Sequence, residues 1–251
     1  MEQKRVIAYI DGFNLYYGMK SASFRRYYWL DFVKLASAFV KSDEALSHTY
    51  YFTSRVSASA ADPQKERRQN AYLEAVETLR DCTVVYGNFL HKKSKCFRCS
   101  YPFVRAEEKM TDVNIAVQML TDAYDEECDV TLLISADSDL VPPIRFIKRR
   151  KIEQEIRVAF PPKRKSFDLE QVADSKRDIW KSTLKASQMP DIIQVAPGSW
   201  CLDFKAGKVA LKKRRRLRRG GRQPCGSTAR GAWLKDFPQN PRCQAGLFIY
   251  N

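Results

Sequence analysis

Leu132-Leu133-Ile134-Ser135-Ala136-Asp137-Ser138-Asp139-Leu140 decides how this chain folds. An apolar run that begins at Val130 stops at two aspartates one residue apart, and Pro142-Pro143 and a basic amphipathic segment follow. A short apolar run closed by turn signals reads as a buried strand, so the two carboxylates stand in the loop at its end. The front of the chain repeats the pattern: Val6-Ile7-Ala8-Tyr9-Ile10 runs into Asp11-Gly12-Phe13-Asn14.

Between and beyond these two stretches, strand and helix signals alternate. Strands are expected at 6–10, 48–53, 83–90, 130–134 and 155–160. A helix is expected to begin at Asn14. Others follow Asp31 and Asp62-Pro63, where an aspartate at the start reads as a cap. Val113, Ala116, Val117, Leu120 and Tyr124 recur at helical spacing and read as the buried stripe of a helix led by Asp112. A further helix spans Leu140 to Arg150, its early prolines tolerated because first-turn amides have no intrahelical partner. Such alternation predicts an α/β fold, a three-layer α/β/α sandwich around a mostly parallel sheet of about five strands. In such a sheet, ligands bind beyond the carboxyl ends of the strands where the strand order reverses. If the first and fourth strands are neighbours there, Asp11, Asp137 and Asp139 converge, and Asp112 reaches in from its helix.

Two of these acids have simpler readings. Asp112 suits a helix dipole and Asp139 suits a helix cap. The cluster Phe24-Arg25-Arg26-Tyr27-Tyr28-Trp29 reads either as a partly buried loop or as a platform for bases beside arginines. A polar insert at about 91–105 carries Cys96-Phe97-Arg98-Cys99, but a zinc knuckle needs two more close ligands, so free or weakly metal-binding thiols are expected.

The chain has 251 residues and a net charge of +15. Residues 205–222 hold ten basic residues and no acid, so the high charge belongs to the C-terminal stretch. The domain is expected at 1–180, with a basic, flexible tail at 181–251 that either contacts nucleic acid non-specifically through 205–222 or carries no selected role. No apolar run suits a signal peptide or a membrane span, so a cytoplasmic protein with seven free cysteines is expected.

Carboxylates gathered in one cleft repel each other unless a cation neutralises them, and hard oxygen ligands suit Mg²⁺ or Mn²⁺. A cation so held activates water against a phosphodiester. Two histidines leave little material for a histidine-driven mechanism, and neither a Walker loop nor Gly-x-Gly-x-x-Gly is present. A phosphatase with an aspartyl nucleophile needs Asp-x-Asp after the first strand, where position 13 is Phe.

Three stretches carry a family resemblance: Tyr9-Ile10-Asp11-Gly12-Phe13-Asn14-Leu15-Tyr16, Glu108-Lys109-Met110-Thr111-Asp112-Val113-Asn114-Ile115-Ala116 and Ser135-Ala136-Asp137-Ser138-Asp139-Leu140-Val141-Pro142. On these the chain resembles NYN domain proteins, within the PIN-like nuclease superfamily and its LabA/DUF88 branch, over about residues 4–180. The resemblance implies a PIN-like fold and a Mg²⁺- or Mn²⁺-dependent ribonuclease, and single-stranded RNA is the expected substrate. It implies that Asp11, Asp112, Asp137 and Asp139 hold the metal. It further implies that Asn14 hydrogen-bonds within the pocket, and that Ser135 and Ser138 position the cluster. A non-catalytic RNA-binding or regulatory module that keeps the pocket is the alternative, and a nuclease for branched DNA is a third reading.

Overall fold

β-branched and aromatic residues at the front of the chain form β1 (Lys4–Asp11), whose last six residues are buried. The computed structural model describes residues 3–57, 62–95, 100, 102–150, 153–190, 192–195, 198–201 and 212–213. From β1 the chain continues through α1 (Gly12–Ser21), α2 (Phe32–Ser37), β2 (Glu44–Ser54), α3 (Lys65–Val76), β3 (Cys82–Lys95), β4 (Pro102–Lys109) and α4 (Thr111–Tyr124). It then passes through β5 (Val130–Ile134), α5 (Val141–Arg150), β6 (Glu155–Phe160), α6 (Phe167–Val172), β7 (Ser175–Asp178) and α7 (Lys181–Ala186).

Seven strands join in the order β4-β3-β2-β1-β5-β6-β7. All neighbours are parallel except β3 and β4. Successive side chains of β1 point to opposite faces, and both faces are covered. Val6, Ala8 and Ile10 pack with Leu15 and Met19 of α1, Phe32 and Leu35 of α2 and Leu73 of α3. Ile7 and Tyr9 pack on the other side with Ile115 and Met119 of α4, Ile144 and Ile147 of α5 and Leu169 of α6. The result is the expected helix–sheet–helix sandwich.

Two of the seven strands exceed the expected five. Most of the polar insert is an antiparallel hairpin, paired from Asn88↔Lys109 to Lys95↔Pro102. The sequence shows only a polar insert beyond residue 90, because an edge hairpin needs no continuous apolar run. Cys96 and Cys99 lie outside the described residues. The other addition, β7, is the four-residue polar strand Ser-Lys-Arg-Asp at the opposite edge.

The face that α4 buries also differs from the expected one. Val113, Val117 and Tyr124 are exposed, and the helix instead buries Thr111, Ile115, Met119, Asp122 and Ala123. The buried row contains an aspartate because the Tyr9 hydroxyl donates a 2.6 Å hydrogen bond to Asp122 Oδ2, and Gln118 donates to its Oδ1. An apolar count along the helix rejects that row, whereas a satisfied buried carboxylate permits it.

Packing continues beyond residue 180, where the tail was expected to begin. Leu184 of α7, Met189 and Ile193 of β8 (Ile192–Val195) are buried in the core of the α1–α3 side. A small antiparallel sheet of β8, β9 (Gly198–Cys201) and β10 (Lys212–Lys213) follows. The chain divides into units at Met1–Arg214 and Arg215–Asn251, and every described residue belongs to the first. Among the described residues, no helix is long and apolar enough to cross a membrane.

Candidate metal centre

The strand order reverses between β1 and β5, which pair in parallel from Val6↔Val130 to Ile10↔Ile134. The carboxyl ends of these two strands therefore lie side by side, with Asp11 ending one and Ser135-Ala136-Asp137 following the other.

Asp11 is 3% exposed. No turn separates it from α1: it is itself the N-cap, and its Oδ1 accepts the backbone N–H of Asn14 at 2.9 Å. Gly12 makes this abrupt start possible. A Cβ there would lie 2.6 Å from the Phe52 carbonyl and 2.7 Å from the Tyr51 ring, so only glycine lets the helix begin against β2. The second carboxylate oxygen of Asp11 accepts from Ser135 Oγ at 2.9 Å, and Ser135 Oγ in turn accepts the backbone N–H of Asp137 at 3.1 Å. One fully buried hydroxyl thus ties two of the acids together.

Asn14 is also buried, and its side-chain oxygen accepts the Ala136 N–H at 3.3 Å. It clamps α1 to the segment after β5 through that side chain, while its backbone holds Asp11.

Asp112 arrives from the opposite helix layer, in the first turn of α4. Met110 precedes it in the left-handed conformation, with φ 78°, and turns the chain from β4 into the helix. Gly87 of β3 accommodates this turn, since a Cβ there would lie 2.7 Å from Thr111 Oγ1 and 2.8 Å from the Lys109 carbonyl. Asp11, Asp112 and Asp137 each bring a carboxylate oxygen within 4.8 Å of the others; Asp11 is buried and the other two are half-buried.

Asp139 lies outside that group. It is exposed, in a 3₁₀ turn (Ser138–Leu140) that runs directly into α5, and its backbone N–H donates to Asp137 Oδ1 at 3.0 Å. Asp137, not Asp139, caps the turn. Ser138 is exposed in the same turn.

The Phe24–Trp29 cluster is mostly packed. Tyr27 is buried with Phe24 edge-on to it, and Trp29 stands edge-on to Tyr72. Asp31 caps α2 by accepting the Lys34 N–H. The double role of the Ser135 hydroxyl, and the two glycines that fit the acids' supporting elements together, leave no signal in composition or periodicity.

The NYN domain model matches residues 5–179. The 6-hydroxy-3-succinoylpyridine 3-monooxygenase HspA of Pseudomonas putida is 25% identical, over 79% of this chain and 76% of its own. The crystal structure of a protein of unknown function from Vibrio parahaemolyticus superposes with a TM-score of 0.46 at 18% identity, covering 72% of this chain and 95% of that one.

Proposed function

The chain belongs to the NYN domain family, and from that premise we propose that it is a divalent-metal-dependent ribonuclease with a PIN-like active site. The observation that carries the reading is the meeting of Asp11, Asp112 and Asp137, from three different elements, within 4.8 Å. An all-carboxylate donor set is hard and anionic, which suits Mg²⁺ or Mn²⁺. When bound, such an ion supplies charge stabilisation to a phosphodiester and lowers the pKa of a water.

The chain's own residues prepare for that chemistry. Asp11 keeps its geometry because Asn14 N–H and Ser135 Oγ–H hold one oxygen each. Asp137 is held by the same serine through its backbone. Asp112 closes the third side from α4. Basic residues follow strands at the same end of the sheet, Arg55 after β2 and Arg164 and Lys165 after β6, and cations at that end suit a phosphate backbone. Asp139 approaches from the rim of the site.

The test is cleavage of single-stranded RNA by the full chain in Mg²⁺ or Mn²⁺, beside Asp11→Asn and Asp137→Asn. The expected result is a loss of 100-fold or more in each variant, on the order of removing a metal-centred contribution of ~3 kcal/mol, with the circular dichroism spectrum unchanged. Wild-type rates in both variants, or in excess chelator, overturn the reading. RNA binding without turnover in any metal favours a non-catalytic RNA-binding module.

A second reading, ring hydroxylation, comes from the name of the Pseudomonas relative. It requires dioxygen and a two-electron reductant. Reductant-dependent oxygen uptake in the presence of 6-hydroxy-3-succinoylpyridine, unaffected by Asp11→Asn, supports it over the nuclease.

A further inference from the structure

The outward row of α1 is Phe13, Tyr17 and Lys20, spaced i, i+4, i+7 so that the three stand in line. Phe13 follows Gly12 at the acidic end of the helix. Tyr17 lies six residues beyond Asp11, a rise of about 9 Å along the helix. Its ring is stacked with Phe13 at 6.4 Å and 26°. Lys20 Nζ stands 5.8 Å from the ring centroid, and the guanidinium carbon of Arg164 also stands 5.8 Å from it. Tyr17 nevertheless stays 45% exposed, with Tyr16 edge-on beside it at 38%.

Arg164 is held in place by the backbone. The Arg164 N–H bonds to the Pro161 carbonyl at 3.1 Å, closing a turn with Pro162 in its second position and Lys163 in its third. Lys163 has φ 60°, where glycine is the usual residue. Gly18 of α1 packs against this turn so closely that a Cβ would lie 2.8 Å from Pro161 Cβ and from the Pro162 carbonyl. A non-glycine residue in a left-handed turn, pressed onto a helix, marks a segment kept in one place against a local cost.

An exposed aromatic ring with two cations near it is an arrangement that holds a strand of nucleic acid by base stacking and phosphate contact together. The platform begins at the helix turn that Asp11 caps. We infer that Tyr17, flanked by Lys20 and Arg164, is a stacking subsite for an unpaired base of single-stranded RNA next to the acidic centre. The inference rests on the ribonuclease reading for the identity of the strand. A duplex does not fit this role, because its base faces are already covered.

The test is fluorescence anisotropy with the full chain in chelator, so that binding is read without cleavage. The probe is a short labelled single-stranded RNA, together with a set of the same RNA carrying one abasic position each. Tyr17→Ala should weaken binding of the intact RNA by roughly 5- to 150-fold, whereas Tyr17→Phe stays within about twofold of wild type. At one abasic position wild type should bind as weakly as Tyr17→Ala binds intact RNA, and there the substitution should cost nothing further. Arg164→Ala should reduce the slope of log affinity against log salt by about 0.7. Tyr17→Ala within about twofold of wild type overturns the inference. Equal losses in the Ala and Phe variants, a loss that persists at every abasic position, or a wild-type chain that binds no single-stranded RNA overturn it as well. Cleavage by Asp11→Asn at the wild-type rate, with the Tyr17 pattern intact, removes the nuclease reading and leaves the stacking subsite standing.

Discussion

Glu44→Gln breaks the most deeply buried ion pair among the described residues. Arg157 of β6 and Glu44 at the start of β2 have side chains 2% and 1% exposed. The guanidinium donates to both Glu44 oxygens at 2.8 and 2.9 Å, to Glu155 at 2.8 Å and to the Phe39 carbonyl at 2.6 Å. The hydrogen bonds from Arg157, with a smaller part from the Lys41 backbone N–H, pull the Glu44 carboxyl from 4.5 to about 2. A depression of that size corresponds to about 3 kcal/mol of folding stability. Arg157 keeps Glu155 as a partner in the variant, so the cost stays at or below the ~3–5 kcal/mol of a fully uncompensated buried charge. Because the folded value lies below the unfolded one, this stability is fully present above pH ~5 and drains away as the pH falls through the window toward 2. Urea unfolding followed by circular dichroism, from pH 7 down to pH 3, is the assay. At pH 7 the variant should lose about 3 kcal/mol, or roughly 6–12 °C in Tm for a unit of this size. The gap between wild type and variant should narrow steadily below pH 5. A variant within about 1 kcal/mol of wild type at pH 7, or a gap that stays constant down to pH 3, refutes the reasoning.

Two other expectations follow from burial and position. Titration of Mn²⁺ by calorimetry should show Asp11→Asn weakening binding by tenfold or more while Asp139→Asn stays within about threefold, because a direct oxygen ligand contributes more than a group at the rim; equal losses refute the separation. Burial pushes the Cys82 thiol up to about 12 and raises that of Cys128 as well. Iodoacetamide at pH 8 should therefore leave both unlabelled in the native protein and modify them after denaturation, read by mass spectrometry. Labelling of either in the native state at the rate of a free cysteine contradicts that.

The parallel α/β sheet and the places of Asp11 and Asp137 at strand ends were legible in the sequence for one physical reason. In a parallel sheet both faces are buried, so β1 and β5 must be continuous apolar runs, and whatever stops them marks the carboxyl edge. Asp11 and Asp137 are those stops. The strand β4 was hidden because it lies at an edge and is largely polar, so no periodic apolar pattern announces it. The face of α4 was hidden by a different cause. Two rows compete on that helix, Val113-Val117-Tyr124 and Ile115-Met119-Ala123, and apolar content alone does not choose between them. The choice is made by one tertiary hydrogen bond from Tyr9 to Asp122, which lets a carboxylate enter the core. Asp112 sat at the edge of the buried face under either choice, which is why its position survived the error.

The three acids of the centre are assembled by two separate mechanisms. Asp11 and Asp137 end neighbouring strands and share the Ser135 hydroxyl, so their spacing is a property of the sheet itself. Asp112 comes instead from the first turn of α4. Its place depends on the left-handed Met110, on the fit of Gly87 beneath Thr111, and on α4 packing through Ile115 and Met119. The Tyr9 side chain links the two mechanisms, since it stands on β1 two residues before Asp11 and anchors Asp122, ten residues along the helix from Asp112. Burial, together with the neighbouring Asp122 carboxylate, holds the Tyr9 phenol well above its usual range. The same strand thus supplies one carboxylate directly and, through its tyrosine, fixes the helix that supplies another. The centre takes its geometry from rigid elements on both sides of the sheet, with the third carboxylate set by helix docking rather than by strand pairing.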